Sequence, residues 1–453
     1  MKKLAIVSTD GHAGPLVEAY RPYLDAKYHR DLDGLIAEEN EFLEITSKIG
    51  AFSESQLKVV DTDGAIASGG MTGAWDLERR LAEMDREGIA VEVFLQGHQC
   101  ASAPFFGPQN SYYAAEIRMA GVRAFNRWQA DMLEGAEGRL IGVVEQTPVA
   151  SLDEVIAEIR WGGEHGFRGV AFSGVTDPAV PQPPFHDPYW EPYWQACADY
   201  DMALVIHVGL GTPQGMIYEL FKQRAAAALT GDYDRNSRQT NNMMEMGEDP
   251  MMKELLTLNY SPRQVFWQLM VGGVFDRYPT LNFVPTEARA DWVPATMAHM
   301  DARYERGDTP LRRRPSEYWA DHGYAGASFI HRAELEDRHA IGVRNLMFGR
   351  DYPHPEGTWP NTREWLRAAF AGVPETDARQ ILGENAVRCY GLNPSLVDAI
   401  AARVGPAVAD ILGDYDIDAQ LLDEFEKRGG YAKPAPELLP QVLDEIMESA
   451  LVG

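Results

Sequence analysis

Asp10-Gly11-His12 closes the first apolar run of the chain, Leu4-Ala5-Ile6-Val7, and sets a carboxylate and an imidazole two residues apart. Side chains alternate along a strand, so two such residues share a face and can converge on one cation. Alone, the tripeptide reads more simply as a turn at Asp10 and a loop hydrogen bond from His12. Its weight comes from what ends the later apolar runs. Leu204-Val205-Ile206-His207 ends on an imidazole, Leu281-Asn282-Phe283-Val284-Pro285-Thr286-Glu287 on a carboxylate, and Leu346-Met347-Phe348-Gly349-Arg350-Asp351 on another. A carboxylate ending a buried strand needs a partner, because an unpaired buried charge is costly; a cation supplies one, and Arg289 is another. Asp10, His12, His207, Glu287 and Asp351 are therefore expected to surround a divalent metal with oxygen and nitrogen ligands. The lack of a thiolate among them excludes the commonest structural zinc arrangement and points to a catalytic centre.

For these residues to meet, the runs that carry them must lie side by side. After a long polar insertion at about 13–75, with a helical pattern near 35–49, the pattern alternates regularly. Strands are expected at 90–96, 140–145, 169–172 and 203–208, with helices at 77–87, 112–133, 152–165 and 189–200 between them. A second insertion, 211–260, carries Met243, Met244, Met246, Met251 and Met252, adaptable fillers of apolar space. Helices at 263–275 and 292–304 then alternate with strands at 281–286, 325–330 and 345–349, and helices at 361–370 and 377–390 follow. With the first run this makes eight strands, the pattern of an α/β fold closed as a (β/α)8 TIM barrel, whose chemistry sits at the C-terminal strand ends. Residues 1–395 are expected to form the barrel domain, and 396–453 a helical C-terminal extension that caps the barrel, lines a dimer interface or covers the site.

Composition narrows the partners. Against 41 Lys and Arg stand 68 Asp and Glu, a net charge of −27, which disfavours nucleic acid and anionic membrane surfaces and leaves a small-molecule substrate. Arg312-Arg313-Arg314 could hold a phosphate or carboxylate locally, although a solvated surface run is the simpler account. Cys100, Cys197 and Cys389 are far apart and lack metal-site spacing, which fits a reducing cytoplasm. Asp10 interrupts the N-terminal apolar run before a signal-peptide core or a membrane span can form, so no membrane association is expected.

The chain resembles the amidohydrolase superfamily, in its amidohydrolase-2 branch of metal-dependent hydrolases and decarboxylases. The resemblance covers about residues 1–395. It is carried by Asp10-Gly11-His12, Glu83-Met84-Asp85 before Gly88-Ile89, Gly166-Phe167-Arg168-Gly169-Val170, His207 and Ile381-Leu382-Gly383-Glu384-Asn385-Ala386. Its most specific stretch runs from Phe348 through Gly349-Arg350-Asp351-Tyr352-Pro353-His354-Pro355-Glu356-Gly357 to Pro360. The resemblance implies that Asp10, His12 and His207 bind metal and that Asp351 is both ligand and proton acceptor. Many members carry a histidine where this chain has Glu287; the added carboxylate shifts preference toward iron or manganese, with zinc still compatible, and could bridge two ions. The family's carbamylated lysine has no counterpart in Gly169-Val170-Ala171-Phe172-Ser173-Gly174. His98 and His354 are candidates to bind substrate or stabilise developing negative charge.

Two reactions follow from the resemblance. In the first, Asp351 takes the proton of a water activated by the cation, the water attacks the carbonyl of an amide, ester or thioester, and Asp351 protonates the leaving group. The alternative is non-oxidative decarboxylation of an aromatic or unsaturated acid, with a side chain protonating the carbon. Glu287 favours hydrolysis slightly, because another anionic ligand makes a poorer host for an anionic chelating substrate.

Overall fold

Runs such as Leu204-Val205-Ile206 are continuously apolar because parallel strands are covered on both faces. The computed structural model describes residues 3–47, 52, 54–97, 103–105, 113–146, 151–171, 182–207, 260–427 and 440–451. Its strands are β1 (Ile6–Ser8), β2 (His12–Ala13), β3 (Ile89–Gln96), β4 (Leu140–Val144), β5 (Gly169–Ala171), β6 (Ala203–His207), β7 (Phe283–Thr286), β8 (Ala325–Ser328) and β9 (Leu346–Gly349). They pair in parallel in the order β1-β3-β4-β5-β6-β7-β8-β9, with β2 alongside β3. The Thr9 amide donates to the Phe348 carbonyl at 2.8 Å and the Asp351 amide to the Asp10 carbonyl at 3.0 Å, which brings the last strand back to the first. The result is the expected TIM barrel. Its register sets the site level, since His207 pairs with Thr286, the residue before Glu287, and Ser328 pairs with Gly349.

One premise of the sequence reading changes. Asp10 and His12 do not share an unbroken strand: β1 stops at Ser8, β2 resumes at His12, and Asp10 lies in the break. Gly11 makes the break possible. A Cβ there would sit 2.8 Å from Glu92 Cδ and 2.9 Å from Arg80 Nη2, so the backbone passes directly over a buried ion pair.

Helices surround the barrel at the expected places. The one at Leu77–Glu87 starts where the Asp76 side chain accepts from the Arg79 amide at 3.0 Å and stops at Gly88, whose φ of +81° is left-handed. The first insertion carries helices His29–Ser47 and Glu54–Val60. The second insertion lies outside the described residues up to Tyr260, where the helix Tyr260–Val271 begins.

Beyond Asn393 the chain forms helices Pro394–Val404, Val408–Leu412, Ala419–Lys427 and Pro440–Ser449. Val397, Ile400 and Ala401 of the first join a buried cluster with Val7, Val91, Val143, Val205, Val284 and Met347 of the strands. The Leu4 amide, ahead of β1, donates to the Pro406 carbonyl at 2.9 Å. The helix Pro394–Val404 therefore closes the floor of the barrel, opposite the end that carries Asp10 and Asp351. Arg313 and Arg314 pair with Asp321 and Glu305 at 2.6 and 2.9 Å, as a solvated run would. No described helix is long and apolar enough to cross a membrane, and Cys197 and Cys389 are free and buried.

Candidate metal centre

The strand ends bring Asp10, His12, His207, Glu287 and Asp351 together, all buried. His12 Nε2 lies 3.4 Å from Asp10 Oδ1 and 3.1 Å from Asp351 Oδ1. His207 Nε2 lies 3.4 Å from Asp10 Oδ1 and 3.4 Å from Glu287 Oε2. Ligand atoms of Asp10, His12, His207 and Glu287 all fall within 4.8 Å of one another, the spread of a first coordination shell about one ion.

Local backbone makes this convergence. Glu287 and Asp351 both have φ of +54°, left-handed for residues with a Cβ and costing about 1–2 kcal/mol each. Such conformations persist where surrounding structure fixes them; Glu287 directly follows β7, and Asp351 lies two residues past the end of β9. Gly349 is needed one strand over, since a Cβ there would stand 2.5 Å from Asp10 Cβ.

The residues fit a cation by a second criterion. Asp10 Oδ1, His12 Nε2 and both Asp351 carboxylate oxygens are buried and make no hydrogen bond. Leaving such groups unsatisfied is expensive, and all of them point into one space. The His12 ring is oriented for the task. Its Nδ1 is 2.9 Å from the Gln96 carbonyl, which can only accept, so Nδ1 carries the proton and Nε2 offers its lone pair inward. Ser328 supports Asp10 from behind by donating to Oδ2, which leaves Oδ1 for the centre.

Electrostatics agree. Burial pushes the Asp10 carboxyl up, but the His12 and His207 rings outweigh it and hold it far below the usual carboxylate range. Burial pushes His12 down, and the Asp10 and Asp351 carboxylates overcome it and raise the ring well above the ordinary histidine value. The carboxylates thus create a field that draws positive charge to this point, and a divalent cation supplies it without protonating a ligand.

Among the other candidates, His354 joins the site. Its Nδ1 is 2.9 Å from Asp351 Oδ1, and its ring stacks on His12 with centroids 4.0 Å apart. His98 lies outside the described residues. Arg289, the alternative partner for Glu287, directs its Nε to Asp291 at 3.1 Å. Sequence reading missed two contributors. Ser328 looked like strand filler, and Glu356 was only a letter in the motif, although its carboxylate comes within 4.8 Å of Glu287 and Asp351.

Beneath the ligands lies a buried charge network that the sequence also concealed. Glu92 accepts from Arg80 Nε at 3.0 Å and from Arg350 Nη2 at 3.0 Å, while Arg350 Nη1 reaches Glu87 at 3.2 Å. Arg80 Nη1 donates to the His12 carbonyl at 2.8 Å, and Arg350 immediately precedes Asp351. One carboxylate therefore ties together the two segments that carry His12 and Asp351.

A family model described as Amidohydrolase matches residues 72–392. The chain belongs to the amidohydrolase family. Asp10 and His12 of this amidohydrolase precede the matched stretch, so their place in the centre rests on the geometry. No curated protein matches the chain. Solved structures share the fold. An amidohydrolase from Mycobacterium avium subsp. paratuberculosis K-10 is 18% identical with a TM-score of 0.59, over 85% of this chain and 99% of that one. The 5-carboxyvanillate decarboxylase LigW from Sphingomonas paucimobilis is 20% identical with a TM-score of 0.55, over 86% of this chain and 100% of that one. A dihydroxybenzoic acid decarboxylase from Polaromonas sp. JS666, with bound manganese and the inhibitor 2-nitroresorcinol, is 17% identical with a TM-score of 0.53, over 87% and 98%.

Proposed function

We propose that this amidohydrolase is a metal-dependent, non-oxidative decarboxylase of a hydroxylated aromatic or unsaturated acid. Asp10, His12, His207, Glu287 and Asp351 hold the cation, manganese being the first choice for so carboxylate-rich a set. When bound, the cation gathers the substrate carboxylate and its neighbouring hydroxyl and fixes the bond to be broken.

The observation that carries this reading is the position of Asp351. Its Oδ1 stands 3.1 Å from His12 Nε2 and 2.9 Å from His354 Nδ1, between the ligand set and a half-buried imidazole. Asp351 in its protonated form delivers a proton to the substrate carbon, and His354 returns one from solvent. The bond between that carbon and the carboxyl group breaks, its electron pair stays on the carbon, the proton takes the vacated position, and carbon dioxide leaves without any oxidant. Support comes also from the similar structures over 86% and 87% of the chain, which are described as decarboxylases, one of them with manganese.

The first expectation from sequence, hydrolysis of an amide, ester or thioester, keeps one observation in its favour. Glu287 brings a further carboxylate to His207, at 3.4 Å, and so makes the centre less hospitable to an anionic substrate. The two reactions separate cleanly. Protein loaded with manganese and given 2,6-dihydroxybenzoate, 5-carboxyvanillate and related acids is expected to release carbon dioxide and the decarboxylated product in equal amounts. Hydrolysis of an ester, thioester or amide panel, with no carbon dioxide from any acid, would replace decarboxylation by the hydrolytic reading.

A further inference from the structure

Away from the metal centre, charge is left unbalanced on one flank of the barrel. A cavity of about 660 Å³ lies between the helix Glu54–Val60 of the first insertion, the helix Thr362–Ala369, and the C-terminal extension between Tyr415 and Leu421. Its volume suits a small-molecule ligand, for which about 300–1,000 Å³ is usual. None of the five proposed metal ligands lines it.

Most of the charges around the cavity already have partners. Asp63 pairs with Arg86 at 2.8 Å, and Glu364 with Arg367 at 3.2 Å. Glu87 is held by Arg350 at 3.2 Å and by the Thr362 hydroxyl at 2.6 Å. Asp418 accepts from the Gln420 amide at 2.8 Å, at the start of the helix Ala419–Lys427. Lys58, Arg363 and Asp416 remain, with no ion-pair partner among the described residues. The cavity is thus left with two cations against one exposed carboxylate, in a chain whose net charge is −27. Arg363 is half-buried, and its Nε is screened from water with no acceptor to meet it. A desolvated donor without a partner is destabilising, and an anion entering the cavity relieves that cost.

We propose that this cavity binds a small organic phosphate. Arg363 and Lys58 hold the phosphate, and an apolar or aromatic body lies against Val59, Ile417 and Leu421, which also line the space. A guanidinium fork takes two phosphate oxygens, and an ammonium takes another as a point charge. A phosphate dianion balances both cations, which a single carboxylate does not. The inference rests on the cavity alone and is independent of the reaction at the metal centre.

Isothermal titration calorimetry of phenyl phosphate into the manganese-loaded chain tests it. The wild type is expected to bind, and Arg363→Gln to bind at least about 10-fold more weakly, the scale of one lost hydrogen bond to a charged group. Turnover and Tm should be unchanged in Arg363→Gln, because no protein partner of Arg363 is lost. Any phenyl phosphate taken up by the metal centre persists in that variant, which tells the two sites apart. Asp416→Asn is expected to bind about two- to fivefold more tightly, since it removes the unpaired carboxylate; a damaged fold cannot produce that gain. Benzoate, with a similar body and one charge, should bind more weakly than phenyl phosphate. Equal affinity in wild type and Arg363→Gln, weaker binding by Asp416→Asn, tighter binding of benzoate, or no binding outside the metal centre at millimolar concentrations would each overturn the proposal.

Discussion

Asp351→Asn is expected to fold normally and to lose turnover by about 10³-fold or more, the scale of a proton-transfer group removed from its site. The neighbours of the buried Asp351 carboxylate are His12 and His354 of the centre, at 3.1 and 2.9 Å, so amidation leaves the packing and strand hydrogen bonds that hold the barrel intact. In metal-free protein the change removes a buried negative charge from a crowded set together with its pairing to His12 and His354, and these opposed effects should leave the thermal midpoint close to wild type. Only the stabilisation gained on adding metal should shrink, because that gain tracks affinity. Steady-state kinetics with melting curves, with and without manganese, measures both effects. Wild-type turnover in Asp351→Asn would remove the residue from its assigned role.

Glu92→Gln is expected to be the most destabilising conservative change in the centre's surroundings. Glu92 is fully buried and holds Arg80 and Arg350, themselves fully buried. Removing its charge leaves Arg350 with Glu87 alone, at 3.2 Å, and Arg80 with carbonyl acceptors, including that of His12. Breaking one side of a buried pair typically costs about 3–5 kcal/mol. For a chain of this size that corresponds to a fall in Tm of about 3–5 °C. Burial pushes the Glu92 carboxyl up, but Arg350 and Arg80 outweigh it and hold it below the usual carboxylate value. Its contribution is therefore complete at neutral pH and is lost as pH falls below the ordinary carboxylate range toward the lowered value. Metal affinity should weaken as well, since the backbone of His12 and the segment before Asp351 lose their common anchor. A Tm within about 1 °C of wild type would show that the network is not the anchor described here.

The barrel was legible because its signals are local. Apolar runs of strand length alternate with helical periods, and the residues that end those runs include all five proposed first ligands. What escaped the sequence depends on distant pairing. Arg350 reads as an unremarkable neighbour of Asp351, and its partner Glu92 lies 258 positions away. Ser328 needs the pairing of β8 with β9 to bring its hydroxyl to Asp10. Glu356 needs the turn through His354 and Pro355, whose path no periodicity specifies. Even the reason offered for Asp10 and His12 was incomplete. Strand alternation predicts their common direction, but the structure achieves it across a break that Gly11 permits over the Arg80 and Glu92 pair.

The central claim is that these strand ends form a metal centre, and anomalous diffraction from crystals of protein purified without chelators tests it most directly. Data at the manganese, iron and zinc edges are predicted to show an ion about 2.0–2.3 Å from ligand atoms of the set Asp10, His12, His207, Glu287 and Asp351. Absence of any peak among those residues, or a peak only at the protein surface, would contradict the account.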